Sequence, residues 1–198
     1  MGYLQLLLES KLEPMQNDLA KKARSSAADQ NELINNIEIL RDLGKEYSKG
    51  KVNPYFLLRK SIESYKPKIE SLGIDIEIDI NGSNSKVVSE GRGGVLLERV
   101  FTNLLNSIIK YPGTESIDIS ADEFEKHIIF SFVTEGTKEM KRDIRSVLKG
   151  SIERKKMSEF EFSIYLIKNI LETFGGWISF EDLGDGAERI DLYLKKVS

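Results

Sequence analysis

The spacing of apolar residues changes period near residue 54, and that change constrains the fold of this 198-residue chain more than any single motif. Before it, Leu4, Leu8, Leu12, Met15 and Leu19 recur every three or four positions, with Ala23 on the same line, which is one face of a helix. After the stretch SSAAD (25–29), a second stripe runs through Leu33, Ile37, Leu40, Gly44 and Tyr47. Asp29, with Glu32 three positions on, suits the N-cap of that second helix. The pattern predicts an antiparallel helical hairpin turning at 25–29. Leu6, Leu7, Ile34 and Ile39 lie off its seam, so a lone hairpin leaves apolar surface in water. Packing on the chain's own C-terminal part would cover some of it. Pairing two hairpins into a four-helix bundle covers both faces, and a homodimer is the expectation.

Beyond YSKGKVNP (47–54), a linker by its Gly, Lys and Pro content, the pattern is mixed. Residues 54–72 read as a helix, and IDIEIDI (74–80) alternates apolar and acidic residues as a half-buried strand does. A long apolar helix is expected over 93–111, strands over 116–121 and 127–133, a mixed helical stretch over 138–157 and a helix over 159–174. Strands over 177–182 and 188–194 close the chain. Helices arriving between antiparallel strands give an α+β sandwich with one sheet covered on one face. The expected division is a helical hairpin, 1–52, and an α/β sandwich, 53–198.

Composition removes several function classes. A formal charge of −3 gives no global reason to seek nucleic acid. The apolar run Leu6–Leu8 is far short of the roughly 20 residues a membrane span needs. A cytoplasmic location is expected, with a membrane reached only through an N-terminal portion outside this sequence. There is no cysteine and one histidine, so thiolate nucleophiles, catalytic triads and Cys- or His-based metal sites are excluded. His127 stands at the start of a strand, on the face opposite Ile128, Phe130 and Phe132, and reads as a surface residue.

The element order, helical hairpin, linker, then helix–strand–long helix–hairpin–helix–hairpin, resembles the catalytic core of sensor histidine kinases. That core is a dimerisation and phosphotransfer hairpin followed by a GHKL-type ATP-binding domain, and the resemblance covers essentially the whole chain. RVFTNLLNSIIKY (99–111) is similar to the family's N box, NLLxNAxKY, matching at Asn103, Leu104, Leu105, Lys110 and Tyr111. The box's second asparagine, which holds Mg²⁺ in the family, is replaced by Ser107, whose short reach suits near-octahedral Mg²⁺ poorly. Asn106 points about 100° away on the helix and does not substitute.

The glycine boxes depart further. In TEGTKEM (134–140), Gly136 matches the first glycine of DxGxG, but the adenine-reading aspartate becomes Thr134 and the second glycine Lys138. EFSIYLIKNILETFGGWISF (161–180) keeps Gly175, Gly176 and Ile178, while the phosphate-cradling GLGL reads Glu161, Phe162, Ser163, Ile164. Glu161 would repel a triphosphate, and Phe162 and Tyr165 are candidates for filling the vacated pocket. The family's phosphoacceptor motif, H-[ED]-x-x-x-P, is matched only at Pro14, with Glu9 at the histidine position and Ser10 after it. In the family that proline kinks the first hairpin helix. The segment 138–156, where the family has its ATP lid, carries eight basic residues against three acidic ones, a solvated face or a docking patch for an acidic partner.

The resemblance therefore implies a homodimeric two-component signalling protein without catalytic residues. Asn103, Lys110, Tyr111 and Gly136 are its vestigial nucleotide site. No metal site and no cofactor is expected, with any ATP and Mg²⁺ binding weak. The partners implied are a response-regulator receiver domain or another histidine kinase. The alternative is a divergent ATP-binding histidine kinase that phosphorylates a partner in trans. A phosphotransferase or anti-sigma-like adaptor on the same fold is a third reading, and its phosphotransferase form fails on the missing histidine.

Overall fold

The computed structural model describes residues 2–10, 12–43, 49–80, 87–90, 93–135, 138–150 and 157–196. Two compact units divide the chain, residues 1–44 and 45–198.

The first unit is a helical hairpin, but not the one the stripes suggested. A short helix α1 (Gly2–Glu9) ends at Glu9, and one long helix α2 (Pro14–Asp42) follows. The break therefore falls before Pro14, and SSAAD lies inside α2, with Asp29 in mid-helix instead of at an N-cap. The physical reason is local. SSAAD contains no Gly or Pro, and Ala27 and Ala28 are strong helix formers. Pro14 sits at the first helical position, where its missing N–H costs nothing, while its ring disfavours helix in the residue before it. Pro14 thus starts a helix and does not kink one. The Glu13 N–H donates to Gln16 Oε1 at 3.1 Å, closing that start. Ser10 Oγ donates to the Leu7 carbonyl at 2.6 Å, and Arg24 Nη1 donates to Gln5 Oε1 at 3.1 Å, which ties α1 back to α2. Gly44 and Tyr47 of the second stripe lie outside the described residues. Met15, Leu19, Leu33, Ile34 and Ile37 are all 41–76% exposed along α2.

The second unit is built on a five-stranded sheet in the order β2–β4–β5–β7–β6. Its strands are β2 (Asp75–Asp79), β4 (Ser116–Glu123), β5 (His127–Glu135), β6 (Trp177–Gly184) and β7 (Ala187–Lys195). β2 pairs parallel with β4, and every other pairing is antiparallel. Helices α3 (Pro54–Ser71), α4 (Gly93–Lys110), α5 (Lys138–Leu148) and α6 (Glu159–Thr173) complete it. A separate two-stranded sheet pairs β1 (Lys49–Val52) with β3 (Val87–Glu90), so residues read as linker form a strand.

Strand alternation places the core. Ile117 and Ile119 of β4, Ile128, Phe130 and Phe132 of β5, and Ile190, Leu192 and Leu194 of β7 are all at most 1% exposed on one face. Against them lie Leu97, Phe101, Leu104 and Ile108 of α4 and Ile164, Ile167 and Leu171 of α6, all with no exposure. Phe130 receives the edges of Phe101 and Tyr55 at centroid distances of 5.3 Å each. The segment 74–80 is a half-buried edge strand: Ile74 and Ile80 are buried, Ile76 is partly so, and Ile78 alone of the four is exposed, at 47%. Asp75, Glu77 and Asp79 charge that edge, which discourages further strand pairing. The β6–β7 turn uses Asp185 and Gly186, both at positive φ (50° and 90°), the combination a tight type I′ hairpin demands. Gly176 cannot be replaced without a backbone shift, since a Cβ there would collide with the Tyr193 carbonyl oxygen.

Candidate functional site

Helix α4 runs through the N-box resemblance and presents its last turn to the start of α6. Asn103, Asn106 and Ser107 are buried, at 1%, 6% and 7% exposure. Asn106 accepts a hydrogen bond from Lys68 Nζ at 3.0 Å, so it faces α3 and leaves Ser107 on the cleft side. Lys110 and Tyr111 line the same cleft, whose volume is about 320 Å³ and which is completed by Pro112, Asp143, Ser158, Glu159 and Phe160. The sequence-derived candidates Lys110 and Tyr111 are thus brought together, and Ser107 joins them. Gly136 lies outside the described residues, and Lys138 opens α5.

The polar groups of this cleft are occupied by one another. Lys110 Nζ bonds Glu159 Oε1 at 2.8 Å. Tyr111 Oη donates to Asp143 Oδ2 at 3.3 Å, and its ring meets Phe160 edge-on at 4.7 Å. The start of α6, where the resemblance puts a phosphate cradle, is closed by a capping box: Ser158 Oγ accepts from the Glu161 N–H at 3.1 Å, and Glu161 Oε2 accepts from the Ser158 N–H at 2.8 Å. Glu161 therefore serves as a local cap, with its other oxygen 3.4 Å from Ser146 Oγ. The ring that enters the cleft belongs to Phe160, and neither Phe162 nor Tyr165 lines it. On an α-helix Phe162 lies about 200° around from Phe160, which puts it on another face.

Where the resemblance puts an adenine-reading aspartate, Thr134 is 1% exposed and donates its hydroxyl to the Ser116 carbonyl at 2.8 Å. Opposite it in the β5–β7 register stands Glu188, which sequence reasoning missed. Glu188 has no exposure, and neither carboxylate oxygen finds a hydrogen-bond partner among the described residues. Burial pushes its carboxyl up to about 7, against the pull of Lys141. Lys141 is bonded to Asp182 at 2.9 Å, with Arg145 also on Asp182 at 3.4 Å. Asp182 is held below the usual carboxylate range by the Lys141 hydrogen bond and by the Gly184 N–H. The signal for Glu188 was in the sequence: it shares parity with Ile190, Leu192 and Leu194, the buried side of β7.

Glu9 is the last residue of α1, directly before Ser10. His127 is half-buried and meets the edge of Trp177 at 5.1 Å, while Trp177 stacks on Tyr193 at 4.3 Å. Among the described residues no group of three or more His, Cys, Asp or Glu side chains is placed to hold a metal ion, and no helix is long and apolar enough to cross a membrane. The basic stretch forms α5 as far as Leu148, and 151–156 lie outside the described residues.

No family model matches the sequence, and no curated protein matches it. Solved structures do. The histidine kinase AdeS of Acinetobacter baumannii is similar over all of this chain and 95% of its own, with a TM-score of 0.67 at 12% identity. Full-length ShkA, solved with AMPPNP, is similar over all of this chain and 42% of its own, with a TM-score of 0.70 at 16% identity. The histidine kinase ThkA, solved with the response regulator TrrA, is similar over 99% of this chain and 56% of its own, with a TM-score of 0.65 at 17% identity. With a helical hairpin in front of a mixed sheet covered by helices, the chain has the fold of a sensor histidine-kinase catalytic core.

Proposed function

We propose that the chain is a pseudokinase, a homodimeric regulatory and docking module of two-component signalling that acts by binding instead of phosphoryl transfer. One observation carries the reading: where a phosphate cradle is expected, the α6 N-terminus is closed by the Ser158–Glu161 capping box, and the nearby Lys110 is engaged by Glu159. The N–H groups and the cation that would meet a polyphosphate have internal partners of the wrong charge for it. Thr134 adds to this, because its hydroxyl donates to backbone and leaves no carboxylate at the adenine-reading position.

The exposed apolar stripe of α2 is the dimer surface in this reading. Two copies contribute two helices about 43 Å long and two short arms, an unequal version of a four-helix bundle. In this reading the hairpin is also where a receiver domain docks, and ThkA, one of the similar structures, is solved in complex with the response regulator TrrA. Glu9 supplies a fixed negative charge at the position of the family's phosphohistidine, so Glu9→Gln changes partner output in a reconstituted pathway. Unchanged output removes that role.

The competing reading, a divergent kinase that phosphorylates a partner in trans, draws on the open cleft of about 320 Å³ that retains Lys110 and Tyr111. Thermal unfolding with Mg·ATP separates the two. A ligand at 100 times its dissociation constant adds about 2.7 kcal/mol to the folded state, which raises the melting temperature by roughly 5 to 10 °C in a chain of this size. The pseudokinase reading expects no shift at millimolar Mg·ATP, and a shift of that size refutes it.

A further inference from the structure

We propose that the proton on Glu188 decides whether α5 stays seated on the sheet, so that this end of the second unit opens locally as pH rises. The device stands apart from the pseudokinase reading, because it uses groups of β6, β7 and α5 alone.

The geometry places Glu188 under α5. In the β6–β7 ladder Glu188 is directly opposite Asp182, so the two carboxylates share the covered face of the sheet. Asp182 is bonded by two cations of α5, Lys141 at 2.9 Å and Arg145 at 3.4 Å. Arg145 also lies over the Phe180 ring, 5.6 Å from its centre and on the same face of β6. Met140, Ile144 and Val147 are the buried side of the helix. Beneath it, Glu188 has no exposure, and neither of its oxygens has a hydrogen-bond partner among the described residues. Its neighbour on β5, Thr134, gives its hydroxyl to the Ser116 carbonyl instead.

A neutral carboxyl tolerates that site. A carboxylate there has lost its water, faces a second carboxylate across the ladder and has no donor in place of either. Burial raises the Glu188 carboxyl to about 7, Lys141 and Arg145 of α5 pull the other way, and Asp182 of β6 adds to the rise. Relief requires water to reach the carboxylate. β7 cannot move to admit it, because β5 and β6 pair with it along both edges. Helices α4 and α6 meet the sheet through apolar side chains with no exposure. α5 has eleven residues and is tied to the sheet by Asp182, whose side chain is 35% exposed. It is the element that gives way.

Once α5 is off, the carboxyl regains water and its ordinary value of 4.5. Opening therefore becomes easier as pH rises from about 4.5 to about 7 and levels off above, by about 70-fold in all between pH 5 and pH 8.

The test is amide hydrogen exchange of the full chain from pH 5 to pH 8, read by mass spectrometry and corrected for the intrinsic rate at each pH. Residues 138–148 are expected to be less protected than β5 and β7, and to lose protection by tens of fold across that range. Glu188→Gln abolishes the loss, and Glu188→Leu serves if the buried amide disturbs the fold by circular dichroism. Asp182→Asn moves the midpoint of the loss to lower pH, because it removes the opposed charge and releases Lys141, a shift that a merely structural tether would not produce. Protection of α5 that is constant with pH, equal to that of the core strands, or lost equally in the Glu188 variants overturns the proposal. So does a loss confined to β5 and β7, which would mean that Glu188 meets water only on global unfolding; its effect on overall stability would survive that result.

Discussion

Replacing Glu188 with glutamine should make this protein progressively more stable than wild type as pH rises. Glu188 has no exposure and no hydrogen-bond partner for either oxygen among the described residues, and burial pushes its carboxyl from 4.5 up to about 7. A carboxyl with a raised folded-state value binds its proton more tightly in the native chain than in the unfolded one. Its contribution is therefore fully present below about pH 4.5 and is lost as pH rises through about 7. The displacement corresponds to about 3 kcal/mol between those limits, at roughly 1.4 kcal/mol per pH unit.

Glutamine cannot ionise, so the variant escapes that loss whatever fixed cost its buried amide adds. Urea unfolding of both proteins from pH 5 to pH 9 reads the difference directly. The gap in unfolding free energy should grow in favour of Glu188→Gln by about 2 to 3 kcal/mol and level off above pH 8. Asp182, held below the usual carboxylate range, stays ionised across this window and does not contribute to the change. A gap that stays flat across this range would refute the reasoning, since it would mean that Glu188 ionises as easily folded as unfolded.

Further substitutions test the rest of the account. Ser158→Ala removes half of the capping box at the start of α6 and should cost about 0.5 to 2 kcal/mol in urea unfolding, with Glu161→Ala non-additive with it. Pro14→Ala should change stability by less than about 1 kcal/mol, because a proline at the first helical position gives up no hydrogen bond, whereas relief of a mid-helix kink would stabilise by more. Phe132→Ala, at the centre of the covered sheet face, should destabilise by about 3 to 5 kcal/mol. If the exposed α2 stripe is the proposed dimer surface, light scattering should find a dimer for the wild type and a monomer for Ile34→Asp with Ile37→Asp, with the second unit's melting transition left in place.

The sheet was legible because strict alternation is hard to mistake. The runs at 127–133 and 188–194 put Phe130, Phe132, Ile190 and Leu192 on one side, and the folded chain buries that side. Helix α4 was equally plain, with Leu97, Val100, Phe101, Leu104, Leu105 and Ile108 recurring at helical spacing on one face. The hairpin was half legible. Helical spacing gave helices, but periodicity alone cannot locate a break, and SSAAD looked like a turn although nothing in it opposes a helix. Pro14, the true punctuation, was assigned by analogy to a kink.

The small β1–β3 sheet escaped because four-residue strands such as KGKV and VVSE carry too little pattern to rise above the loops beside them. In the site, sequence brought forward Lys110 and Tyr111 but could not show that Glu159 and Asp143 would engage them, because those partners come from helices 49 and 32 residues further along. Phe162 and Tyr165 were put forward from their place in a motif, whereas helical phase decides which ring enters the cleft, and it turns Phe160 inward.

The direct measurement of the central claim is transfer of radiolabel from the γ-phosphate of ATP. The purified chain is incubated with Mg²⁺ and labelled ATP, alone and with candidate receiver domains and an inactive histidine-bearing kinase hairpin as acceptors. The account predicts no acid-labile label above background on any of them. Stoichiometric label on an added histidine, or on this chain itself, would contradict it.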